Sequence, residues 1–213
     1  MANRGAQAEG MTGTPGQVAY VVDDDESIRT LWHWLMQSRG IPVRTFATAA
    51  EFLAAYRDEE AGCLVLDLQL PDMSGLELQQ RLSSRGVEIP IVFVTGHGDV
   101  PAAVSALKGG AVDFIQKPFD YREALLTVEK AFERDRALRA RRARRLGVEA
   151  RLALLTERER EVLARVIEGR QNKAIAGELA ISIKTVEAHR AKVMEKLGAE
   201  SLAELVQFML QRN

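Results

Sequence analysis

One cysteine, Cys63, is all that 213 residues contain, so the chain has no disulfide framework and no thiolate metal cluster. Long apolar runs are missing too; the longest fall well short of the about 20 residues that span a bilayer. The opening MANRGAQAEG lacks the apolar core of a signal peptide. Together these absences exclude a disulfide scaffold and a membrane-spanning helix, and a cytoplasmic setting without a membrane partner is expected.

Net charge is also nearly absent, at −1, but this balance conceals an asymmetry. Residues 18–133 carry 10 Lys and Arg against 18 Asp and Glu, whereas residues 134–213 carry 18 against 11. An acidic half joined to a basic half implies two domains with different partners, phosphate backbones being the expected one for the basic half. The chain is long enough for each half to bury its own core.

Residues 1–17 are rich in Gly, Ala and Thr without periodicity, and a disordered tail is expected there. Short apolar runs then alternate with helical patterns. VAYVV (18–22), VRTF (43–46), CLVLD (63–67), PIVFVT (90–95) and DFIQ (113–116) read as strands. Between them Ile28, Leu31, Trp32 and Leu35 keep helical spacing, as do Phe52, Leu53 and Tyr56. Leu76, Leu78 and Leu82, then Val104 and Leu107, mark two further helices, and a last one follows Tyr121. Five strand–helix units with near-continuous apolar strands predict an α/β fold, a doubly wound parallel sheet covered on both faces. Trp32 fits the buried side of its helix; Trp34 falls toward the edge, where core and partner surface are both open to it.

In such sheets the ligand site lies beyond the carboxyl ends of the strands. Asp23 and Asp24 follow the first strand, Asp67 ends the third, Thr95 ends the fourth and Lys117 follows the fifth. All five are therefore expected at one edge. Nothing cationic stands next to the acidic run DDDE (23–26) in the sequence. Carboxylates crowded at that edge repel unless a hard cation lies between them, and oxygen ligands of this kind suit Mg²⁺. Asp25 and Glu26 read instead as helix-start residues, with Asp25 or Ser27 as the cap.

VVDDDES, CLVLDLQLPDMSG, IVFVTGHGD and DFIQKPF, in this order and spacing, resemble the receiver domain of bacterial response regulators over residues 18–133. The resemblance implies that Asp67 accepts a phosphoryl group from a sensor histidine kinase. It also implies Mg²⁺ held by Asp24, Asp67 and the Gln69 carbonyl, with Asp23 acting through water. Thr95 and Lys117 are implied to contact the phosphoryl oxygens, and Phe114 to be the aromatic that moves inward on activation. The chemistry suits these roles, since a carboxylate can be a covalent phosphoryl acceptor and cations offset the charge developing on the transferred group. Gly96 and Gly98 flank His97 in a loop whose closure calls for backbone freedom. An enzyme alternative, an aspartyl-nucleophile Mg²⁺-dependent phosphatase, needs a second carboxylate two residues after the nucleophile, and that position is Gln69.

ERDRALRARRARRLG (133–147) places seven arginines within residues 134–145, and residues 134–149 are expected to form a helical linker. A solvated helix, a dimer contact and a segment near DNA phosphates all fit it. LLTEREREVLARVIEGR (154–170) opens with a capping box at Thr156 and Glu159 and keeps Val162, Leu163, Val166 and Ile167 on one face. NKAIAGELAISIKTVEAHRAKVMEKLG (172–198) reads as two helices around a turn near Ala180–Ser182, and SLAELVQFML (201–210) as a closing helix with a second capping box, Ser201 and Glu204. A short helix, a tight turn and a longer helix make a helix-turn-helix, about 170–192. The forms T-E-R-E, N-K-x-I-A and T-V-x-x-H resemble the LuxR-type DNA-binding domain over residues 150–213, a small all-α unit. The whole chain resembles the FixJ-like (LuxR/NarL-type) response regulators of two-component systems.

On the longer helix Val186, Val193 and Leu197 must pack inward. At about 100° per residue, Lys184, Glu187, Ala188 and Ala191 fall opposite, with Lys192 at the edge, and this face is expected in the major groove. Arg190, Lys173 and Thr185 are placed to contact phosphates, whereas His189 reads as structural. The expectation is a non-enzymatic transcriptional regulator, an activator, that dimerises when phosphorylated through a face around Val104, Lys108 and Asp113. Its further partners would be promoter DNA and RNA polymerase.

Overall fold

A computed structural model describes residues 16–96 and 100–211. Of the expected tail, 1–17, residues 1–15 lie outside the described residues, as does His97–Asp99 of the predicted loop. Gln17 is instead buried at the start of the first strand, held by hydrogen bonds of its side chain. The chain divides into two compact units, the first ending at Leu138 and the second starting at Arg139.

In the first unit the apolar runs become five strands: β1 (Gln17–Val22), β2 (Val43–Phe46), β3 (Ala61–Leu66), β4 (Ile91–Thr95) and β5 (Asp113–Gln116). All adjacent pairs are parallel, in the order β2-β1-β3-β4-β5. Helices α1 (Glu26–Ser38), α2 (Ala49–Ala55), α3 (Gly75–Ser84), α4 (Val100–Lys108) and α5 (Tyr121–Ala153), the last belonging to this unit up to Leu138, follow the strands in turn. Because side chains alternate along a strand, each strand feeds two cores. Ala19, Val21, Val65, Val92 and Val94 meet Trp32 and Leu35 of α1 and Ala124, Val128 and Phe132 of α5. Tyr20, Val22, Leu64, Leu66 and Phe93 meet Phe52 of α2, Leu78 and Leu82 of α3 and Ala106 of α4. Trp32 is fully buried, whereas Trp34 is 68% exposed. Two residues rotate a helix by about 200°, which separates the two indoles.

The strand order reverses at β1, whose neighbours β2 and β3 lie on opposite sides. This opens a crevice beyond the carboxyl ends of β1 and β3. At the opposite, amino-terminal edge a polar anchor ties α5 to the sheet. The buried Asp135 carboxylate accepts from the Gly62 backbone N–H (3.1 Å) and from the Gln17 side-chain amide (3.4 Å), which also donates to the Phe132 carbonyl (3.0 Å).

In the second unit α6 (Glu157–Ile167), α7 (Asn172–Leu179), α8 (Ile183–Leu197) and α9 (Leu202–Leu210) surround one apolar core, with Leu155 from the residues ahead of α6. Val162, Leu163 and Val166 are buried as expected, and Ile167 lies at the edge of that face, 36% exposed. The α6 capping box is complete at Thr156 and Glu159. The second expected box is only half formed: Ser201 accepts from Glu204 N–H, but the Glu204 carboxylate takes the N–H of Glu200 instead of Ser201 (2.9 Å). Ser201 is strongly extended, with φ −141° and ψ 159°, and the N–H one residue earlier is the one that reaches the carboxylate. Between α7 and α8 the chain turns through Ala180 in the left-handed region, φ 53°. It is the one non-glycine residue among those described with positive φ.

Gly62 has no room for a side chain, because a Cβ there would stand 2.2 Å from the Val18 carbonyl oxygen across the β1–β3 pair. Gly62→Ala is therefore expected to destabilise the first unit by about 2–4 kcal/mol through overpacking against backbone. Urea unfolding followed by Trp32 fluorescence in a Trp34→Phe background measures it.

Candidate functional site

The loop after β1 carries the acids. Asp25 caps α1, its carboxylate accepting from Ser27 N–H (2.8 Å), which holds the Asp25 carboxyl below its ordinary value. Asp23 turns inward, only 2% exposed, and accepts from Asp25 N–H (3.0 Å). Asp67 directly follows β3, is 7% exposed and accepts from Gln69 N–H (3.2 Å). Asp24 is exposed, yet oxygen atoms of Asp23, Asp24 and Asp67 lie within 4.8 Å of one another. Three carboxylates so placed form a candidate cation site, and an all-oxygen set of this kind fits a hard divalent ion.

Lys117 follows β5 and joins this set. Its ammonium donates to Asp23 Oδ2 (2.6 Å) and to Asp67 Oδ2 (2.8 Å). Burial works to lower the Lys117 pKa, but the two carboxylates outweigh it and the net shift is upward. Asp23 is also shifted upward, because burial of its carboxylate exceeds the pull of Lys117. The Lys117 N–H bonds the Thr95 carbonyl (2.8 Å), which sets β5 in register beside β4, and the Lys117–Pro118 peptide is cis. Thr95 itself is buried at the end of β4.

The structure thus brings Asp23, Asp24, Asp67, Thr95 and Lys117 to one edge, with Gln69 exposed just beyond. Phe114 stands farther back on β5, half-buried against the second core and in register with Phe93. On α4 Val104 and Lys108 are exposed. Asp113 is half-buried and its carboxylate is engaged locally by Phe114 N–H (2.8 Å).

Two partners of the site have no counterpart in the sequence reading. Arg29 donates to the Asp23 and Asp24 carbonyls, each at 2.8 Å. Asp72, in the loop after Asp67, accepts from Ala49 N–H (3.2 Å) and Ala50 N–H (2.8 Å) at the start of α2. Burial opposes it, but those N–H groups hold the Asp72 carboxyl below its ordinary value. Arg29 lies one turn beyond the Asp25 cap, a spacing that could have signalled a side chain folding back over the loop. Asp72 carries no such local signal, because α2 is remote in sequence.

In the second unit, Val186, Val193 and Leu197 are buried, and Lys184, Glu187, Ala188, Ala191 and Lys192 are exposed. Lys173 is exposed in the first turn of α7, whose start has no side-chain cap. The Thr185 and Ser182 hydroxyls bond each other (2.8 Å). Arg190 spends one nitrogen on Asn172 Oδ1 (2.8 Å), tying α8 to the start of α7, and His189 is half-buried. Arg158 donates to the Leu179 carbonyl at the end of α7 (2.6 Å).

Residues 19–129 match the response regulator receiver domain, and residues 153–209 match the luxR family of bacterial regulatory proteins. The transcriptional regulatory protein FixJ of Rhizobium meliloti is 45% identical over 191 residues, covering 90% of this chain and 94% of that one. The chain belongs to the FixJ-like response regulators. It is therefore a two-component transcription factor with a DNA-binding helix-turn-helix, in a family of regulators and not of enzymes, which sets the phosphatase alternative aside. Another FixJ-like relative, the C4-dicarboxylate transport transcriptional regulatory protein DctR of Rhodobacter capsulatus, is 42% identical over 87% of this chain and 95% of its own. Among solved structures, the response regulator StyR is 43% identical with a TM-score of 0.83, covering 92% of this chain and 99% of that chain. Membership in the FixJ-like group implies a cognate kinase and a DNA target. Among the described residues, no helix is long and apolar enough to cross a membrane.

The FixJ-like helix-turn-helix here rests on a buried ion pair. Glu159 is 3% exposed and accepts from Lys196 (2.7 Å) and from Thr156 N–H (2.8 Å), joining α6 to α8. The Lys196 hydrogen bond is the main reason its carboxyl falls from an ordinary 4.5 to about 2. A depressed carboxylate stabilises fully above its unfolded value and loses that contribution as pH falls through its folded value. The loss is thus expected between pH 4.5 and about 2. Glu159→Gln should cost the second unit about 1–3 kcal/mol at neutral pH and remove this acid dependence. Helical circular dichroism during urea unfolding at pH 7 and pH 3 measures both.

Proposed function

We propose that transfer of a phosphoryl group to Asp67 switches this protein from a monomer to a dimer that binds promoter DNA and activates transcription. The observation that carries it is Lys117 bridging Asp23 and Asp67 at the carboxyl edge of the sheet, in a chain whose second unit is a LuxR-type helix-turn-helix. The receiver occupies residues 18–133, the arginine-rich helical linker 134–149 and the DNA-binding domain 150–213. The protein works in the cytoplasm, with a sensor histidine kinase as donor and RNA polymerase as a further partner.

Asp67 attacks the phosphorus of the donor phosphohistidine; the phosphorus–nitrogen bond breaks, the electron pair leaves with the imidazole, and an acyl phosphate forms. Asp24, Asp67 and the Gln69 carbonyl would hold Mg²⁺, with Asp23 in support, and the ion would supply charge neutralisation for this transfer. Lys117 already stands 2.8 Å from the accepting carboxylate, so its ammonium is in place for the new phosphoryl oxygens. Thr95 supplies a hydroxyl at the neighbouring strand end, and its reorientation draws Phe114 inward. The face that responds holds Val104, Lys108 and Asp113. Its exposed apolar residues support an interface, with Val104 at 42%, Leu107 at 48% and Val100 at 77% exposure.

On α8 the exposed Glu187 accepts from a cytosine amino group in the major groove, and Ala188 and Ala191 touch thymine methyls. Lys184 enters the groove on the same face with Lys192 at its edge, and Lys173, Thr185 and Arg190 bind phosphates and fix register.

With Mg²⁺ and a small phosphoryl donor, the protein should gain one hydroxylamine-sensitive phosphate and sediment as a dimer. Asp67→Ala should abolish the label, and Thr95→Ala should keep the label but lose most of the dimer. Labelled Asp67→Ala protein, or identical monomer fractions with and without phosphate, would refute the switch.

Selection from random duplexes tests the reading of DNA. Glu187→Ala should shift discrimination at one base pair by about 1–3 kcal/mol. Lys173→Ala should weaken all sequences alike and reduce the salt dependence of binding.

A further inference from the structure

We propose that Arg29 is a positioning residue for the cation site, and that it sets how tightly the divalent ion binds. The inference rests on the reading of Asp23, Asp24 and Asp67 as that site. Arg29 lies in α1, half-buried, and its backbone N–H bonds the Asp25 carbonyl (3.0 Å). Its side chain folds back over the loop, and one guanidinium nitrogen donates to the carbonyls of Asp23 and Asp24, both at 2.8 Å.

Two consecutive carbonyls converging on one donor fix the peptide planes between them. Those planes determine where the two carboxylates emerge. Asp23 has other restraints, Lys117 Nζ and Asp25 N–H. The Asp24 side chain is exposed, and the peptide that follows it is held at its carbonyl by Arg29 and at the Asp25 N–H by the Asp23 carboxylate. Like-charged carboxylates drift apart when free to do so, so Asp24 is the ligand that depends most on Arg29. The guanidinium touches backbone, not carboxylate, oxygens, so it orders the ligands without occupying them.

Outer-shell residues that orient a metal ligand commonly account for about tenfold or more in affinity. Removing a cation beside a cation site would by Coulomb's law alone tighten binding, so the sign of the effect decides between the two roles. The full chain is titrated with Mn²⁺, the free ion being read by electron paramagnetic resonance and the bound ion displaced with Mg²⁺. Arg29→Ala should weaken Mn²⁺ by about tenfold. Arg29→Lys, whose ammonium has donors for both carbonyls, should recover most of that loss. Thermal unfolding in EDTA accompanies each variant, because a merely structural role would lower the melting temperature and leave the Mn²⁺ affinity unchanged. Unchanged or tighter affinity in Arg29→Ala, or a lysine variant as weak as the alanine one, overturns the proposal. Failure of the parent to bind Mn²⁺ removes the cation site together with it.

Discussion

Repulsion among Asp23, Asp24 and Asp67 is the constraint around which the first unit is organised. These groups are brought within 4.8 Å by strands that are adjacent in the sheet but separated by two helices and another strand in sequence. The ammonium that holds two of them comes from the far end of the order, because Lys117 leaves β5 and reaches across β4 to Asp67 and Asp23. Strands β1, β3, β4 and β5 must therefore be in place before the acidic edge is electrostatically tolerable. Asp23, nearly sealed from water, could not remain there without a partner of opposite charge.

The sheet was legible because β1, β3 and β4 are apolar runs that end on Thr or run into Asp, and because helical spacing fills the intervals. The parallel topology, the strand-end positions of Asp67 and Thr95, and the inward face of α8 follow from periodicity alone. What periodicity cannot carry is a long side chain that doubles back or a bond between remote segments. Arg29 is the single arginine of α1, and periodicity shows it only as a polar position. The grip of Asp72 on Ala49 and Ala50 depends on the β3–α3 loop meeting the start of α2, which no local pattern encodes. The same applies to Asp135, one acid amid seven arginines in sequence and a buried acceptor in space. At Ser201 the motif was present, but an extended backbone gave the Glu204 carboxylate a different N–H.

The second unit solves a different problem, that of holding short helices rigid with a small core. Its single core, which includes Leu155, Val162, Ile175, Val186 and Leu205, is supplemented by charged groups aimed at helix ends. Arg158 satisfies the Leu179 carbonyl where α7 stops, and Arg151 satisfies the Leu197 carbonyl where α8 stops, at 3.0 Å. Basic residues near helix carboxyl ends also suit the negative pole of the helix. Part of the positive charge that marks this half as a DNA binder thus has an internal, architectural use.

The sole thiol, Cys63, lies fully buried in the middle of β3, and burial drives its pKa upward. A thiol that is neither accessible nor ionised does not react with maleimides or oxidants while the sheet is intact. Any cysteine introduced on the surface would then be the single labelling position on a wild-type background. Spin labels or fluorophores at chosen sites on α4 or α8 can accordingly be attached without first removing a native residue, and reactivity at Cys63 itself becomes a gauge of how often the sheet opens.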